Sequence, residues 1–367
     1  MKVALKSMNM DSEQNLSSFP LEGFEALLEK ESIPSVHAKS VFKWHYQGLN
    51  NCWKAHPTIP KKLKALLGTF SNSHTTSVSE SHQSKYDNSV KFVIELWDKQ
   101  KVEAVLMPER NRVTLCLSTQ VGCRQACRFC HTGRMGLIRN LMCSEIIGQV
   151  LSVERWIKEN SRWLEKCQLP THQRVTHIVF MGMGEPLDNT FELIQAIKIL
   201  TQPHGLGIPL RKISVSTAGH IEGLKQLHSV FPNIPIAFSM HCVENKKRSV
   251  LMPINKEFPL ADVLNYLQEH YSLRSQKPFI QFTLIKGVND DLETAKKLAE
   301  LTKPLDPKIN LIPLNQVSPS RLEAPSPETL QAFRDELHTA GIRVMIRYSK
   351  GQDIGGACGQ LITNKNQ

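Results

Sequence analysis

The apolar positions change their period along the chain, and the changes divide it. From Leu21 to about Leu67 they recur at helical spacing. Phe24, Leu27 and Leu28 come first, then Val36, Val41, Phe42 and Trp44, a pattern that predicts short helices with one apolar face. Past residue 70 the period falls to two. SVKFVIELW and VEAVLMP alternate in the manner of strands. Beyond residue 110 short apolar runs appear at Val113–Leu117, His177–Met181, Ile213–Ser216, Ile236–Met240, Phe279–Ile285 and Ile309–Pro313. Helical stretches at 144–159, 191–201, 260–271, 292–302 and 327–340 lie between most of them or follow the last. This alternation predicts parallel β/α units. Six such strands fit a partial barrel better than a closed eight-stranded one, and barrel chemistry gathers at the C-terminal strand ends. A seventh strand-like run, Val344–Tyr348, precedes a glycine-rich loop around Cys358. The reading divides the chain into a loose N-terminus (1–20), a small helical region (21–70), a β extension (71–110), a barrel with its C-terminal cysteine loop (111–362) and a tail (363–367).

Composition narrows this picture. The 367 residues are 41% hydrophobic, enough for one large α/β barrel and a small appendage. The formal net charge of +11 favours a polyanionic partner, because each phosphate contact releases condensed counterions. A basic enzyme indifferent to nucleic acid fits the charge equally well. The nine cysteines are odd in number and scattered, unlike a disulfide framework. The start, MKVALKSMNMDSEQ, has no apolar core of a secretory signal, and no run of about 18 apolar residues occurs. The expectation is a reducing cytoplasm, where thiols serve metals or catalysis.

Three of the thiols stand together in Cys123-Arg-Gln-Ala-Cys127-Arg-Phe-Cys130, just after the first barrel strand. Three thiolates on an iron–sulfur cubane leave one iron open to a small molecule carrying an amine and a carboxylate, as S-adenosylmethionine does. Ordinary ferredoxin sites close the cluster with a fourth cysteine. Cys127-Arg-Phe-Cys130-His131 also spells a c-type haem attachment site, which would require export. A zinc site completed by His131 or Cys143 is a further reading, although no second CxxC is present. Gly182-Met-Gly184-Glu185-Pro186-Leu187 follows the second strand. Leu187 occupies the place where a dinucleotide fingerprint needs glycine, so the glycines are read as allowing close backbone approach to another ligand.

The C-x3-C-x-F-C spacing at the first barrel loop resembles the radical S-adenosylmethionine superfamily. Cys116-Leu-Ser-Thr-Gln-Val-Gly-Cys123, Met181-Gly-Met-Gly-Glu-Pro-Leu187, Leu251-Met-Pro-Ile-Asn255 and Ala357-Cys358-Gly359-Gln360 resemble, more narrowly, the RlmN/Cfr family of RNA methyltransferases. The likeness runs from about residue 21 to about residue 362. It implies a partial (β/α)6 barrel with a [4Fe-4S] cluster on Cys123, Cys127 and Cys130. It places Gly184 and Glu185 at the methionine amine of S-adenosyl-L-methionine, and Ser216, Ser239, Met240, His241 and Asn315 at other cofactor contacts. Cys358 becomes the methyl carrier, Cys116 the resolving thiol that forms a transient disulfide with it, and Glu103 the proton acceptor.

The implied reaction suits the substrate. Adenine C2 and C8 are electron-poor and cannot displace a sulfonium methyl directly, so a cofactor-supplied radical route is needed. The activity implied is C2 methylation of an adenosine in 23S rRNA, with tRNA as a second candidate. A Cfr-like C8 methylation is the alternative within the family. Outside it stand a non-catalytic zinc-binding RNA-binding protein and a radical enzyme acting on a small molecule. The implied partners are RNA and an electron donor such as flavodoxin or ferredoxin, for a cytoplasmic monomer. Lys61, Lys62 and Lys64, with Trp44 and Trp53, form a candidate RNA clamp. Three stretches depart from the family pattern: His131-Thr132-Gly133 after the third cysteine, Arg347–Asp353, and Gly355-Gly356-Ala357, where acidic and small residues are usual. They fall toward the RNA-facing end and leave C2 versus C8 open.

Overall fold

A computed structural model describes residues 15–70, 76–317 and 320–363. Residues 1–14 and 364–367 of the expected loose N-terminus and tail therefore lie outside the described residues. Within that N-terminal segment, residues 16–18 form a 3-10 turn that buries Leu16 and Ser17. The helices α1 (Leu21–Lys30), α2 (His37–Phe42) and α3 (Lys61–Thr69) follow. They pack through Phe24, Leu28, Phe42, Leu63 and Leu67, all fully buried. The clamp residues are partly engaged inside this unit. Lys62 Nζ donates to the Glu31 carbonyl, Lys64 Nζ donates to the Lys54 carbonyl, and Trp44 lies against His56 with ring centres 4.8 Å apart.

Strands β1 (Ser77–Gln83), β2 (Val90–Glu95) and β3 (Lys101–Glu109) form an antiparallel meander. The β extension is continuous with the barrel, because β3 pairs antiparallel with β4 (Arg112–Cys116). The chain then leaves the main sheet for a separate hairpin of β5 (Gln120–Cys123) and β6 (Gly136–Asn140), with α4 (His131–Met135) between them. Helices α5 (Cys143–Glu159) and α6 (Ser161–Lys166) lead back to β7 (His177–Phe180). The β/α alternation continues through α7 (Thr190–Thr201), β8 (Ile213–Thr217), α8 (Ile221–Val230) and β9 (Ile236–Ser239). Next come α9 (Asn245–Leu251), α10 (Leu260–Tyr271), β10 (Phe279–Leu284), α11 (Leu292–Thr302), β11 (Lys308–Pro313), α12 (Pro327–Thr339) and β12 (Arg343–Ile346).

Strands β4, β7, β8, β9, β10, β11 and β12 are neighbours in that order and run parallel. The seventh strand-like run thus joins the array after six β/α units. Parallel strands covered by helices are buried on both faces, which is why their sequences read as apolar runs. The three meander strands extend this array into one ten-stranded sheet. All loops that follow the parallel strands lie at one end of it, which places the residues below.

Candidate active site

The three clustered cysteines owe their position to the β5–β6 hairpin. Cys123 ends β5, and Cys127 and Cys130 lie in the loop ahead of α4. The β5–β6 pairing is irregular at Gly122, whose φ is +78° and where a Cβ would stand 1.9 Å from the Gly136 carbonyl oxygen. Only glycine fits there. The segment before the hairpin is held to the next β/α loop, since Thr119 N–H donates to the Met183 carbonyl at 2.9 Å. All three sulfurs are free thiols. Burial raises each of them above the ordinary thiol range, Cys123 to about 12. A cationic or metallic group bound there would reverse that balance.

The three cysteines line a cavity of about 160 Å³ together with Gly184, Glu185, Ser216, Ser239, His241 and Asn315. Gly184 adopts φ +105° against the Gln120 side chain. Glu185 is buried, and its oxygens accept N–H bonds from Leu187 at 3.1 Å and Ala218 at 2.8 Å. Burial pushes its carboxyl up to about 7, although those N–H groups oppose the shift. His241 accepts the Thr283 N–H at Nδ1, 2.9 Å away, and Phe129 stands edge-on to it with ring centres 5.1 Å apart. Burial lowers its imidazole to about 3, so it is neutral at physiological pH. Asn315 binds the C-terminal loop, donating to Ser349 Oγ at 2.9 Å and the Cys358 carbonyl at 3.0 Å.

Met240 is placed differently from the other expected cofactor residues. Its side chain is fully buried and does not line this cavity. Its backbone is taken up by structure, with its N–H on the Gln281 carbonyl and its carbonyl accepting Arg248 Nε, both at 3.0 Å.

A second and larger cavity of about 470 Å³ is lined from β4 and β12, the outermost parallel strands. Cys116, the last residue of β4, opens onto it. Burial first, and the neighbouring Cys358 second, push the Cys116 thiol up to about 12. Cys358 is exposed and lines both cavities, the only cysteine that does so. Both thiols are free, so the expected disulfide is not formed in this state. The larger cavity carries Arg112, Arg211, Lys212, Arg347 and Lys350 against a single acid, Glu109. Tyr348, 66% exposed, also faces it.

Glu103 lies apart from both linings. It sits in the buried run of β3, with Oε1 2.9 Å from Lys91 Nζ and Oε2 accepting the Ile362 N–H at 2.9 Å. Val105, two residues on and therefore on the same strand face, does line the larger cavity.

Comparison with known proteins decides the family. A curated protein of Akkermansia muciniphila, named as a probable dual-specificity RNA methyltransferase RlmN, is 38% identical over 350 residues, covering 93% of each chain. The RlmN of Bdellovibrio bacteriovorus is 35% identical, covering 96% of this chain and 85% of its own. The chain belongs to the RlmN family. The crystal structure of a radical SAM methyltransferase from Sphaerobacter thermophilus superposes with a TM-score of 0.86 at 32% identity, covering 95% of this chain and 99% of that one. No family model matches the chain. As an RlmN-family member it is a methyl-transferring radical S-adenosylmethionine enzyme, which sets aside the non-catalytic zinc-binding reading.

Two polar residues escaped the sequence reading, Gln281 on the lining of both cavities and Lys91 paired with Glu103. Gln281 on β10 faces both cavities, and its Oε1 accepts from Ser216 Oγ at 3.4 Å and Ser239 Oγ at 3.3 Å. A lone glutamine in an apolar strand was the available signal. Lys91 on β2 carried none, since alternating strands normally place lysines in solvent.

Proposed function

We propose that this chain methylates C2 of an adenosine in RNA, in 23S rRNA and also in tRNA, through a methyl group carried on Cys358 and with two S-adenosylmethionines consumed per methyl. The observation that carries the proposal is the place of Cys358, between the cavity of the three clustered thiols and the larger cavity that holds Cys116.

The residues fit the group the family implies. Three free thiols share one cavity with a buried carboxylate, a donor set that would hold a cubane and leave one iron open to S-adenosylmethionine. Bound there, a [4Fe-4S] cluster held by Cys123, Cys127 and Cys130 would supply an electron, from a flavodoxin- or ferredoxin-like donor, for cleavage of S-adenosylmethionine to a deoxyadenosyl radical.

The chain's own residues do the rest. Glu185 accepts the methionine amine, and Ser216, Ser239 and His241 line the same cofactor space. Cys358 would receive a methyl group, give up one hydrogen atom of it to the deoxyadenosyl radical, and present the carbon to the base. Glu103 takes up the ring proton. Cys116, as its thiolate, attacks the sulfur of Cys358. The S–C bond breaks toward the carbon, which takes up a proton to become the methyl group of the released base, and the two sulfurs are left as a disulfide. Arg347 and Lys350, which follow β12 on the lining of the larger cavity beside Cys358, suit an RNA phosphate backbone. A base reaching it must leave its stack, which costs less in a loop than in a duplex.

The test is nucleoside mass spectrometry of unmodified ribosomal RNA and tRNA after anaerobic reconstitution with iron, sulfide, S-adenosylmethionine and a reductant. 2-Methyladenosine is the expected product. 8-Methyladenosine would keep the mechanism and overturn the C2 assignment. Release of deoxyadenosine with neither product would overturn the RNA substrate.

A further inference from the structure

Every residue of Val102–Leu106 in β3 is buried, and Glu103 is the only charged one among them. Its surroundings are sparse in charge. Lys91 on β2 and the His82 ring on β1 are the cationic or titratable groups that act on it. The β7–α7 loop offers only the Met183 sulfur, 3.4 Å from the Glu103 N–H, and the C-terminal segment offers the Ile362 N–H. Lys91 pairs with Val105 and Val93 with Glu103 in the β2–β3 register. Lys91 and Glu103 are therefore diagonal neighbours on one sheet face, within reach of a long side chain. The pair is close to dry, with the Lys91 and Glu103 side chains 14% and 3% exposed. Directly above lies the Cys358 loop. Gly355, at φ +63°, packs there close to the ammonium, since a Cβ at that position would stand 3.5 Å from Lys91 Nζ.

We propose that Lys91 is a positioning residue of the methyl-transfer site, whose ammonium holds the buried Glu103 as a carboxylate beneath the Cys358 loop so that Glu103 can accept the substrate's ring proton. The proposal rests on the reading of Glu103 as that acceptor. In the step concerned, the breaking C–H bond leaves its electron pair on the ring and its proton on a Glu103 oxygen. Burial is the largest influence on Glu103 and raises its pKa, while the Lys91 charge is the largest opposing one. Without Lys91 the buried carboxylate loses its ion-pair partner, its pKa moves further up, and the protonated form, which is no base, is favoured.

The test is the pH dependence of methylated-nucleoside formation in single turnovers of the reconstituted enzyme. Lys91→Met is expected to displace the rising limb upward by about one pH unit or more, lowering product formation below the limb by about tenfold. Lys91→Arg should restore the wild-type limb. Methylation of Cys358 and release of deoxyadenosine precede the proton transfer and should stay near wild-type rates in both variants. A Lys91→Met profile that superimposes on the wild type, or that falls equally at every pH, overturns the proposal. Glu103→Gln tests the reading beneath it, with product lost at every pH while deoxyadenosine release continues. If Glu103→Gln still forms product, the acceptor reading fails. The pairing is then judged separately by the protonated-carboxyl infrared band that Glu103→Gln removes. That band must persist to higher pH in Lys91→Met, and an unchanged titration overturns the pairing.

Discussion

At the residue scale the two thiols beside the larger cavity differ in a way that the roles proposed for them would require. Cys358 is exposed and Cys116 is buried with its thiol pushed up to about 12. A buried, protonated Cys116 is a poor nucleophile at rest, since the thiolate is the attacking form. Its attack on Cys358 therefore waits on a change in its surroundings, such as arrival of substrate or movement of the C-terminal loop. Cys116→Ala is expected to stop the cycle after the carbon–carbon bond forms, trapping RNA on Cys358. Denaturing gels after turnover with labelled RNA should show a protein–RNA band that vanishes in the Cys116→Ala/Cys358→Ala double variant. Its absence from the single variant would count against the resolving role. Tyr348 offers an exposed ring among Arg347 and Lys350 at the same cavity. Stacking on an unpaired base contributes about 1–3 kcal/mol, so Tyr348→Ala should weaken RNA binding by about tenfold or more while Tyr348→Phe binds as the wild type. Filter binding at fixed salt would show this.

At the scale of elements, the hairpin that carries the cysteines lies outside the main sheet and is held by contacts of its own. One is the close approach of Gly122 to Gly136. Another is Arg139 on β6, which donates to both oxygens of the buried Glu145 in α5 at 2.8 Å and to Asp98 at 2.7 Å. Gly122→Ala forces either the local backbone or the β5–β6 pairing to shift, at a cost on the order of 3 kcal/mol. Because the main sheet does not include this hairpin, the expected result is selective. Iron incorporation on reconstitution should fall while the cooperative thermal transition of the barrel moves little. A variant that binds iron as the wild type would show the hairpin to be more pliable than its geometry indicates.

For the whole molecule, three histidines are buried in their neutral form. Burial lowers His45 to about 4 and His228 and His241 to about 3, from an ordinary value of 6.5. The unfolded chain takes up protons below about pH 6.5 where the native chain does not. Their contribution is complete above about pH 6.5 and declines as pH falls toward about 4, each group costing up to about 1.4 kcal/mol per pH unit in that window. Urea midpoints measured from pH 7.5 down to about pH 4.5 should fall steadily, and His45→Gln should flatten part of the slope. A level midpoint across the range would mean these rings gain protons without unfolding. No helix among the described residues is long and apolar enough to cross a membrane.

What the sequence determined by itself is what local pattern encodes. The short apolar runs and the helical periods placed β4, β7 to β12 and most covering helices within a residue or two, because burial on both sheet faces demands continuous apolar strands. The cysteine spacing marked the cluster loop, because three thiols within eight residues need no long-range folding to be neighbours. Other features were decided only by tertiary structure. The meander 77–109 could have formed a separate unit, and only the β3–β4 pairing made it part of the barrel sheet. Cys116 and Cys358 read singly as small buried residues, and the fold brings both to one cavity by placing β4 and the loop after β12 together. Met240 follows a site residue in sequence yet points into the core, because successive residues at a strand end face opposite ways. Glu103 and Lys91 each look like solvated charges in alternating strands. Their pairing exists only because the C-terminal loop folds over the sheet and excludes water from that face, a long-range event with no local signature.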